Sequence, residues 1–354
     1  MDTLQNYDNL NNAYKDNHVL MGAYIGTKQL YKTHIWTNPD TDVALLGKID
    51  VDETPTGIYV DNQDNIIVST GKNVRKYNSD GDILWKYDSS ESINVLHINS
   101  NDDIYIGVAG GYIRKIRGSD GVGAYEGFVS NVYTVDYNYT VKDFCFLDGD
   151  SKLVAITTNG IYLMSDNGSS LVKESLLKSS TYYTNVCYNN GHLYLVNTPN
   201  GNAYLESYTF KGTETTLPTY DWSYSTAATI KSMLVDRQTG DIILGLLSGK
   251  NKIEIIEPID GKKVANSSEA SNYTSGITQD NVGNIYLFNN IDSIIKDNKL
   301  LSSTLWSFKQ SGTVYSNSYT SLAVDSHHIV YVLNTESALY KTTNSIVKLQ
   351  QKEI

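Results

Sequence analysis

One motif recurs about seven times along the chain: a short apolar strand, a turn rich in Asp, Asn and Gly, and a second apolar strand. The turn-and-strand segments, each given with its first residue, are DNQDNIIV (Asp61), NSNDDIYI (Asn99), DGDSKLVAI (Asp148), NNGHLYLV (Asn189), DRQTGDIILG (Asp236), DNVGNIYLF (Asp280) and DSHHIVYVL (Asp325). Successive copies lie about 38 to 49 residues apart, with a mean of about 44, which is typical of blade-type repeats. The repeat therefore constrains the architecture strongly, and it constrains function much less.

Each repeat supplies four strand candidates. In the first repeat they are GIYVD from Gly57, NIIVS from Asn65, NVRKYN from Asn73 and DILWKYD from Asp82. An Asp-Gly turn between the last two predicts a hairpin. Four antiparallel strands repeated in this way predict an all-β fold, a β-propeller of seven four-stranded blades over residues 51–354. A linear β-solenoid is the alternative, but its coils usually have shorter and more uniform periods.

Residues 1–50 do not follow the blade pattern. Leu4, Tyr7, Asn11 and Tyr14 follow helical spacing in a segment too short to be stable alone in water. Strand-like stretches follow, the last being DVALLGKID from Asp42. Two interpretations stay open: one of these strands closes the ring with the last blade, or the segment attaches the propeller to a partner or to further copies of itself.

Charge and hydropathy exclude several classes of partner. The formal net charge is −11, and no block of Lys and Arg stands out, so we expect no nucleic-acid partner. A polyanionic ligand would also need a local basic patch that the sequence does not display. The polar start MDTLQNYDNLNNAYKDN predicts no signal peptide, and no apolar run is long enough for a membrane helix.

Cysteine and glycine patterns give no sign of a cofactor or a metal. Cys145 and Cys187 fall at matching places in consecutive repeats, and we expect both to be buried, reduced thiols in neighbouring innermost strands. GVGAYEG from Gly121 departs from the dinucleotide-binding fingerprint and lacks a βαβ context. His327 and His328 read most simply as polar turn residues. We therefore predict no cofactor, no metal and no catalytic residue.

The composition is unusual in tyrosine, with 28 Tyr against 6 Phe and 4 Trp. A Tyr-Thr dipeptide precedes the innermost strand in several repeats, at Tyr139, Tyr183, Tyr273 and Tyr319. Neighbouring loops add Tyr133, Tyr137, Tyr182, Tyr224 and Tyr315. The four dipeptides predict either tyrosines wedged between blades or a partly exposed rim around the channel mouth that stacks on sugars.

The repeats resemble NHL-type and quinoprotein-type propeller blades through the signature "strand, Asp, x, x, Gly/Asp, Asn, Ile, Tyr", although regular Trp docking positions are missing. GAYIGTKQLYKTHI from Gly22 is similar to the start of tail and baseplate proteins in phages of low-GC Gram-positive bacteria. That resemblance implies a virion protein, released by lysis, that recognises a cell-wall glycopolymer.

These observations favour a binding module over an enzyme. We expect a non-enzymatic phage tail fibre or baseplate protein that binds a host cell-surface glycan, contacts other virion proteins through residues 1–50 and acts as an oligomer. One alternative is a propeller-fold glycan lyase or hydrolase, which needs a carboxylate pair or an acid/base set on the channel face. A second alternative is a bacterial scaffold that binds a protein.

Overall fold

The fold is known from a computed structural model, which describes residues 24–25, 28–29, 36–37, 43–129, 139–226, 228–236, 238–247, 253–266, 274–289, 293–297, 304–309, 316–338 and 341–351. Over these ranges the chain is strands and connections, with a single 3₁₀ turn at Pro199–Gly201. The predicted helix in residues 1–17 lies outside the described residues. The all-β prediction is confirmed.

Six sheets are four-stranded antiparallel meanders, numbered here as blades 1 to 6 in chain order. Blade 1 contains β5 (Pro55–Val60), β6 (Ile66–Thr70), β7 (Asn73–Tyr77) and β8 (Ile83–Asp88). Blade 2 contains β9 (Ile93–Ile98), β10 (Ile104–Val108), β11 (Tyr112–Ile116) and β12 (Gly123–Phe128). Blade 3 contains β13 (Val141–Phe146), β14 (Lys152–Thr157), β15 (Gly160–Asp166) and β16 (Leu171–Ser179).

The second half of the chain repeats this arrangement. Blade 4 contains β17 (Tyr183–Asn189), β18 (His192–Asn197), β19 (Ala203–Thr209) and β20 (Trp222–Thr226). Blade 5 contains β21 (Ile230–Val235), β22 (Ile242–Leu246), β23 (Ile253–Ile256) and β24 (Lys263–Asn266). Blade 6 contains β25 (Thr274–Gln279), β26 (Ile285–Asn289), β27 (Ser293–Asp297) and β28 (Thr304–Lys309).

A seventh, five-stranded sheet joins the two ends of the chain and is called the closing sheet. Its strands, in spatial order, are β29 (Ser316–Val324), β30 (Ile329–Ala338), β31 (Lys341–Gln351), β4 (Val43–Val51) and β3 (Trp36–Thr37). The small strands β1 (Tyr24–Ile25) and β2 (Lys28–Gln29) pair only with each other. The structure therefore shows six four-stranded blades, where the sequence predicted seven, and the remaining sheet differs from them in having five strands.

The innermost strands form a ring. Each of β5, β9, β13, β17, β21, β25 and β29 contacts the next in chain order, and β29 contacts β5. The closing sheet supplies β29 to this ring, and its fourth strand, β4, pairs antiparallel with β31 from Val43 to Val51. Of the two interpretations of the amino-terminal segment, the ring-closing one describes β4, and the propeller therefore begins before the predicted boundary at residue 51.

Burial explains why the second strands are continuous apolar runs. Every residue of β6, β10 and β22 is buried, because both faces of a middle strand are covered by neighbouring blades. Outer strands such as β8 bury one residue, Trp85, among exposed or half-exposed neighbours. The core therefore lies between blades, in clusters that each draw on two adjacent sheets.

In five of the seven repeats the recurring Asp or Asn forms an Asx turn between the first and second strands. The Asp61 carboxylate accepts the N–H groups of Gln63 and Asn65, both at 2.9 Å, and Asp64 adopts a positive φ of 60°. Side-chain acceptance of local backbone N–H groups is what suits Asp and Asn to such turns. The repeated motif of the sequence is therefore a structural element.

These turns also bind one another around the ring. Asp64 accepts the N–H of Ser326 at 2.9 Å, Asp102 accepts that of Asn62 at 3.1 Å, and Asp150 accepts that of Ser100 at 2.8 Å. The acceptor in each case has a positive φ near 60°. Carboxylates at this turn position thus join the closing sheet to blade 1, blade 1 to blade 2, and blade 2 to blade 3.

Candidate functional site

The propeller presents two faces with different chemistry. The turn face carries the Asx turns between first and second strands. The entry face, at the opposite end, is where every innermost strand begins, so it carries the connections between blades and those between second and third strands. The predicted tyrosine rim belongs to the entry face.

Tyr183 is not a rim residue. It is the first residue of β17, where it pairs with Asn197, and only 1% of it is exposed. Its hydroxyl donates to Glu206 at 3.1 Å and accepts from Lys178 at 2.9 Å. Because a residue inside the strand directs its side chain into the blade interface, the expected exposure of Tyr183 is wrong, and the interblade interpretation describes it.

The other three tyrosines of the Tyr-Thr dipeptides do not share its position. Tyr139 precedes β13 by two residues, is half-buried, and accepts the Gly110 N–H through its carbonyl at 2.8 Å. Tyr319 lies within β29, where it pairs with Asn334, but its side chain is outside the described part of the chain. Tyr273 lies outside the described residues altogether. The four dipeptides are therefore not equivalent in register, and a common rim through them stays a prediction.

Among the described residues, Tyr182 is the aromatic residue that the entry face displays most openly. Its side chain is 49% exposed, on the connection between β16 and β17. The Tyr182 carbonyl accepts the N–H and the hydroxyl of Thr198, at 3.0 and 2.7 Å, and its N–H donates to Ser180 Oγ at 3.3 Å. A half-exposed aromatic ring is thus held on a backbone that is fixed on both sides.

Lys142 fixes the same connection from the preceding blade. Its ammonium donates to the carbonyls of Thr181, at 2.8 Å, and Tyr183, at 3.0 Å. Three consecutive carbonyls, of residues 181 to 183, therefore each accept a hydrogen bond. Because this backbone is already fixed, little conformational entropy would be lost if the Tyr182 ring contacted a ligand.

A chain of polar side chains crosses the innermost strands below this entrance. Tyr59 on β5 lies 3.0 Å from His97 Nδ1 on β9, and His97 Nε2 lies 2.9 Å from the Asp143 carboxylate on β13. Asp143 also accepts the N–H of Phe144, at 2.9 Å, and the N–H of Val186 on β17, at 3.0 Å. Blades 1 to 4 are thus joined through one continuous hydrogen-bonded path.

The chemistry of these groups fixes the direction of the path. A carboxylate only accepts, so His97 Nε2 carries a proton and donates to Asp143, while Nδ1 is hydrogen-bonded to the Tyr59 hydroxyl. Burial, and then the charge of Asp143, raises the pKa of Tyr59, which keeps the phenol protonated near neutral pH. A protonated phenol and a carboxylate that accepts from three donors favour a structural role, in which these residues join neighbouring blades, over a role as an acid/base pair.

Glu206 is the second buried carboxylate near the entry face. Oε1 accepts from Asn197 at 2.8 Å, and Oε2 accepts from the hydroxyls of Tyr183 and Tyr208, at 3.1 and 2.5 Å. These hydrogen bonds compensate for the burial of its charge. The hydrogen bond to Glu206 explains why the Tyr183 side chain points into the interface between blades.

One group of potential metal ligands exists in the described part of the chain, on the turn face. Ligand atoms of Asp64, Asp325 and His327 lie within 4.8 Å of one another. Asp64 already accepts the N–H and the hydroxyl of Ser326, and Asp325 accepts the N–H groups of His327 and Ile329. The hydrogen bonds of the turns account for this cluster, and His327 serves as the polar turn residue that its sequence predicts.

Both cysteines lie in neighbouring innermost strands, Cys145 on β13 and Cys187 on β17, and both are free. Each is half-buried, so the prediction of two free thiols is confirmed while their burial is only partial. Burial raises the pKa of both thiols. A thiol that ionises reluctantly is a poor nucleophile at neutral pH.

No protein-family model and no curated protein matches this chain. Over the residues that the structure describes, no helix is both long enough and apolar enough to cross a membrane.

Two features of the site were missed from the sequence alone. Lys142 and Asp143 interrupt an otherwise apolar innermost strand, VKDFCF, and His97 does the same in INVLHI. Polar residues at these places signal contacts across blades, and aligning the innermost strands would have exposed them. Tyr182 was noted only as a neighbouring tyrosine because its exposure depends on the conformation of the loop.

Proposed function

We propose that this chain is a non-enzymatic phage tail fibre or baseplate protein and that its entry face binds a host cell-surface glycan around Tyr182. The observation that carries the proposal is the exposed Tyr182 ring on a connection where the carbonyls of Thr181 and Tyr182 are both hydrogen-bonded. A rigid aromatic ring beside hydroxyl and amide groups suits a sugar ring, which offers an apolar face and polar edges. Thr198 and Ser180 place hydroxyls against the backbone of Tyr182.

The assignment to a virion is supported by the resemblance of the segment from Gly22 to phage tail and baseplate proteins. We propose that residues 1–42 contact other tail or baseplate proteins and that several copies act on one particle. Weak aromatic contacts then give useful avidity, because each further copy binds at a high effective concentration. Mass spectrometry of purified virions tests this part, since a virion protein must copurify with infectious particles.

An enzymatic role as a glycan lyase or hydrolase is less well supported. Such chemistry requires carboxylates or an acid/base pair free to act on the substrate. The half-buried Asp143 and the buried Glu206 each accept three hydrogen bonds from the protein. Their geometry favours structural roles.

We also propose that the closing sheet serves as a seventh blade. Its first strand, β29, contacts the first strands of both blade 6 and blade 1. Its fourth strand, β4, comes from the amino-terminal part of the chain. A blade built from both ends of the chain closes the ring without leaving a free sheet edge inside it.

Sedimentation with isolated Gram-positive cell walls tests glycan binding. Tyr182→Ala should weaken binding about tenfold, the upper part of the range for loss of one aromatic contact. Tyr220→Ala is the matched control, because Tyr220 is 51% exposed but lies just before β20, on the turn face. Equal loss in both variants, or no loss at Tyr182, contradicts the proposed site.

A further inference from the structure

The innermost strands share an irregularity close to the entry face. In each of them a register shift near the start leaves one residue without a cross-strand partner, a β-bulge. The seven bulge residues are Thr56, Asn94, Lys142, Thr184, Lys231, Ser275 and Thr320. All seven are polar, two are lysines and none is acidic; those whose side chains the structure describes supply donors and positive charge toward the entry face.

Lys142 carries a charge that has no counter-ion among the residues that the structure describes. Its two hydrogen bonds go to neutral carbonyls, which leaves one N–H of the ammonium for another acceptor. Among the described residues no carboxylate forms an ion pair with Lys142, and burial lowers its pKa. The adjacent Asp143 is committed to His97 and two backbone N–H groups. An anion at this position would relieve the cost of the half-buried charge.

Thr184 is a second group of this entrance that needs a partner. Its Oγ1 is buried and, among the described residues, has no hydrogen-bond partner. The carbonyl of Tyr183, which precedes it, touches the Lys142 ammonium at 3.0 Å. The Lys142 ammonium of β13 thus contacts the backbone of β17 at the residue directly before Thr184.

Lys231 lies on the other side of Thr184. It holds the bulge position of β21, the innermost strand next to β17, and its side chain is exposed. Thr184 is thus flanked, in ring order, by two lysines that are 89 residues apart in the chain (231 minus 142). The fold places both lysines at the same bulge position of two innermost strands on either side of β17, a relation that the chain order does not show.

We infer that the entrance between blades 3 and 5 binds an anionic group, phosphate or carboxylate, and that the glycan recognised by Tyr182 is therefore an anionic glycopolymer. This inference rests on the proposed function and adds the chemical class of the ligand. The protein has a formal net charge of −11, so most of its surface repels a polyanion, and a local positive entrance directs where one can approach.

Cell-wall sedimentation at several ionic strengths tests the inference, with the double variant Lys142→Gln/Lys231→Gln and the single variant Lys231→Gln. At low salt the double variant should bind about tenfold more weakly, since hydrogen bonds to charged groups are worth at least that factor. Wild-type binding should fall as salt rises, and binding of the double variant should change much less. Replacing the half-buried Lys142 could disturb folding, whereas Lys231 is exposed, so Lys231→Gln tests the charge without that effect. This single variant should show part of the loss of binding seen in the double variant.

Lys72→Gln is the control for net charge. Lys72 is exposed at the entry end of blade 1, where its ammonium donates to the Ser90 carbonyl, so this variant removes one charge away from the proposed entrance. It should bind like wild type. A loss as large as that of Lys231→Gln would mean that overall charge, rather than this entrance, controls binding, and would overturn the inference.

Two purified polymers identify the source of the anion. Poly(glycerol phosphate) presents phosphate, and polygalacturonate presents carboxylate; binding of either one that is weakened by Lys231→Gln supports the inference. Binding to walls that is insensitive to salt and to both lysine variants overturns it while leaving the proposed function intact. If wild type binds neither walls nor polymers, the proposed function itself fails.

Discussion

Tyr182 and Tyr183 are adjacent in the chain and opposite in environment. Tyr182 is half-exposed on a loop, whereas Tyr183 is 1% exposed and packs in the core cluster between blades 3 and 4. The same residue type therefore serves two purposes at consecutive positions. Which of them contacts a ligand depends on where the strand begins, and β17 begins at Tyr183.

Alanine substitution should separate the two tyrosines by stability. Tyr183→Ala should lower the free energy of unfolding by about 3–5 kcal/mol, because it leaves a cavity and removes a donor from the buried Glu206. Tyr182→Ala should change it by less than about 0.5 kcal/mol. Urea unfolding followed by tryptophan fluorescence measures both. Equal destabilisation would mean that the environment assigned to Tyr182 is wrong.

Asp61 gives the turn face a dependence on pH. Burial alone would raise the pKa of its carboxyl, but hydrogen bonds from Lys76, Asn65 and Gln63 outweigh burial and lower it below the usual value. A depressed folded-state pKa contributes stability above the unfolded pKa of about 3.9, and this contribution is lost as the pH falls through the folded value.

Replacing this carboxylate should therefore matter at neutral pH and matter less in acid. Asp61→Asn should be less stable than wild type at pH 7, and the gap should narrow below about pH 4 as the wild-type carboxylate protonates. Asp88→Asn is the control, since Asp88 is an exposed residue paired with Lys86 at the surface. A gap of constant size from pH 7 to pH 3 would contradict the assigned role of the Asp61 charge.

Some residue roles could be predicted from the sequence and others could not. The Asx turns at Asp61, Asp280 and Asp325 were visible because their chemistry is local. Tyr183 was misplaced because a Tyr-Thr dipeptide does not reveal whether it lies before a strand or within one. Lys142 and Lys231 were not associated because their matching bulge positions are a product of the ring.

At the scale of elements, each outer strand contacts the next blade. Trp85 on β8 donates from Nε1 to the Gly118 carbonyl of blade 2 at 3.1 Å, and Trp222 on β20 donates to the Pro258 carbonyl of blade 5 at 2.9 Å. The receiving hairpins have glycine at positive φ against the ring, at Gly121 and Gly261, where a Cβ would lie 2.5–2.6 Å from indole atoms. The two contacts are the same element in two copies.

Other blades fill this position with other residues. Tyr125 on β12 donates to Asp166 of blade 3, and Ser175 on β16 donates to the Glu214 carbonyl of blade 4 at 3.0 Å. Trp306 occupies the matching register on β28, but its side chain lies outside the described part of the chain. Trp docking looked irregular in the sequence because the residue at this position changes from blade to blade. What recurs is the contact between the outer strand of one blade and a hairpin of the next.

Substitution of Trp85 tests this contact. Trp85→Ala should lower the free energy of unfolding by about 3–5 kcal/mol, because it leaves a cavity. Trp85→Phe keeps an aromatic ring but loses the hydrogen bond, so it should lower the free energy of unfolding by about 1 kcal/mol. Leu84→Ala, at the 50% exposed neighbour in the same strand, should stay within about 0.5 kcal/mol. Denaturant titrations of the three variants give the comparison. Similar values for Trp85→Ala and Leu84→Ala would show that the outer strand does not depend on this docking.

At the scale of the whole molecule, the fold was largely predictable because the repeat is periodic and each blade is a local meander. The number of strands in the closing sheet was not predictable, because β4 and β31 are about 300 residues apart in the chain and pair only where the two ends of the chain meet. Apolar pattern identifies a strand such as DVALLGKID, but it does not identify which edge that strand covers. The two interpretations left open for residues 1–50 reflect this limit.

Truncation distinguishes the closing strand from the segment before it. Removing residues 1–42 keeps β4, so the protein should stay soluble and melt cooperatively, while removing residues 1–51 exposes the edge of β31 and should cause loss of cooperative melting or aggregation. A synthetic peptide of residues 43–51 should restore part of the melting temperature of the longer truncation. Differential scanning calorimetry gives the readout. Identical melting of the two truncated proteins would contradict closure by β4.

Radical footprinting with mass spectrometry tests the central claim, that the entry face around Tyr182 binds cell-wall glycan. The protein is labelled alone and in complex with isolated walls, and modification of Tyr182, Tyr139 and Tyr220 is compared. The account predicts strong protection of Tyr182, with some protection of Tyr139, while Tyr220 on the turn face is modified equally in both samples. Unchanged modification of Tyr182 in a sample that is demonstrably wall-bound, or protection confined to Tyr220, would contradict it.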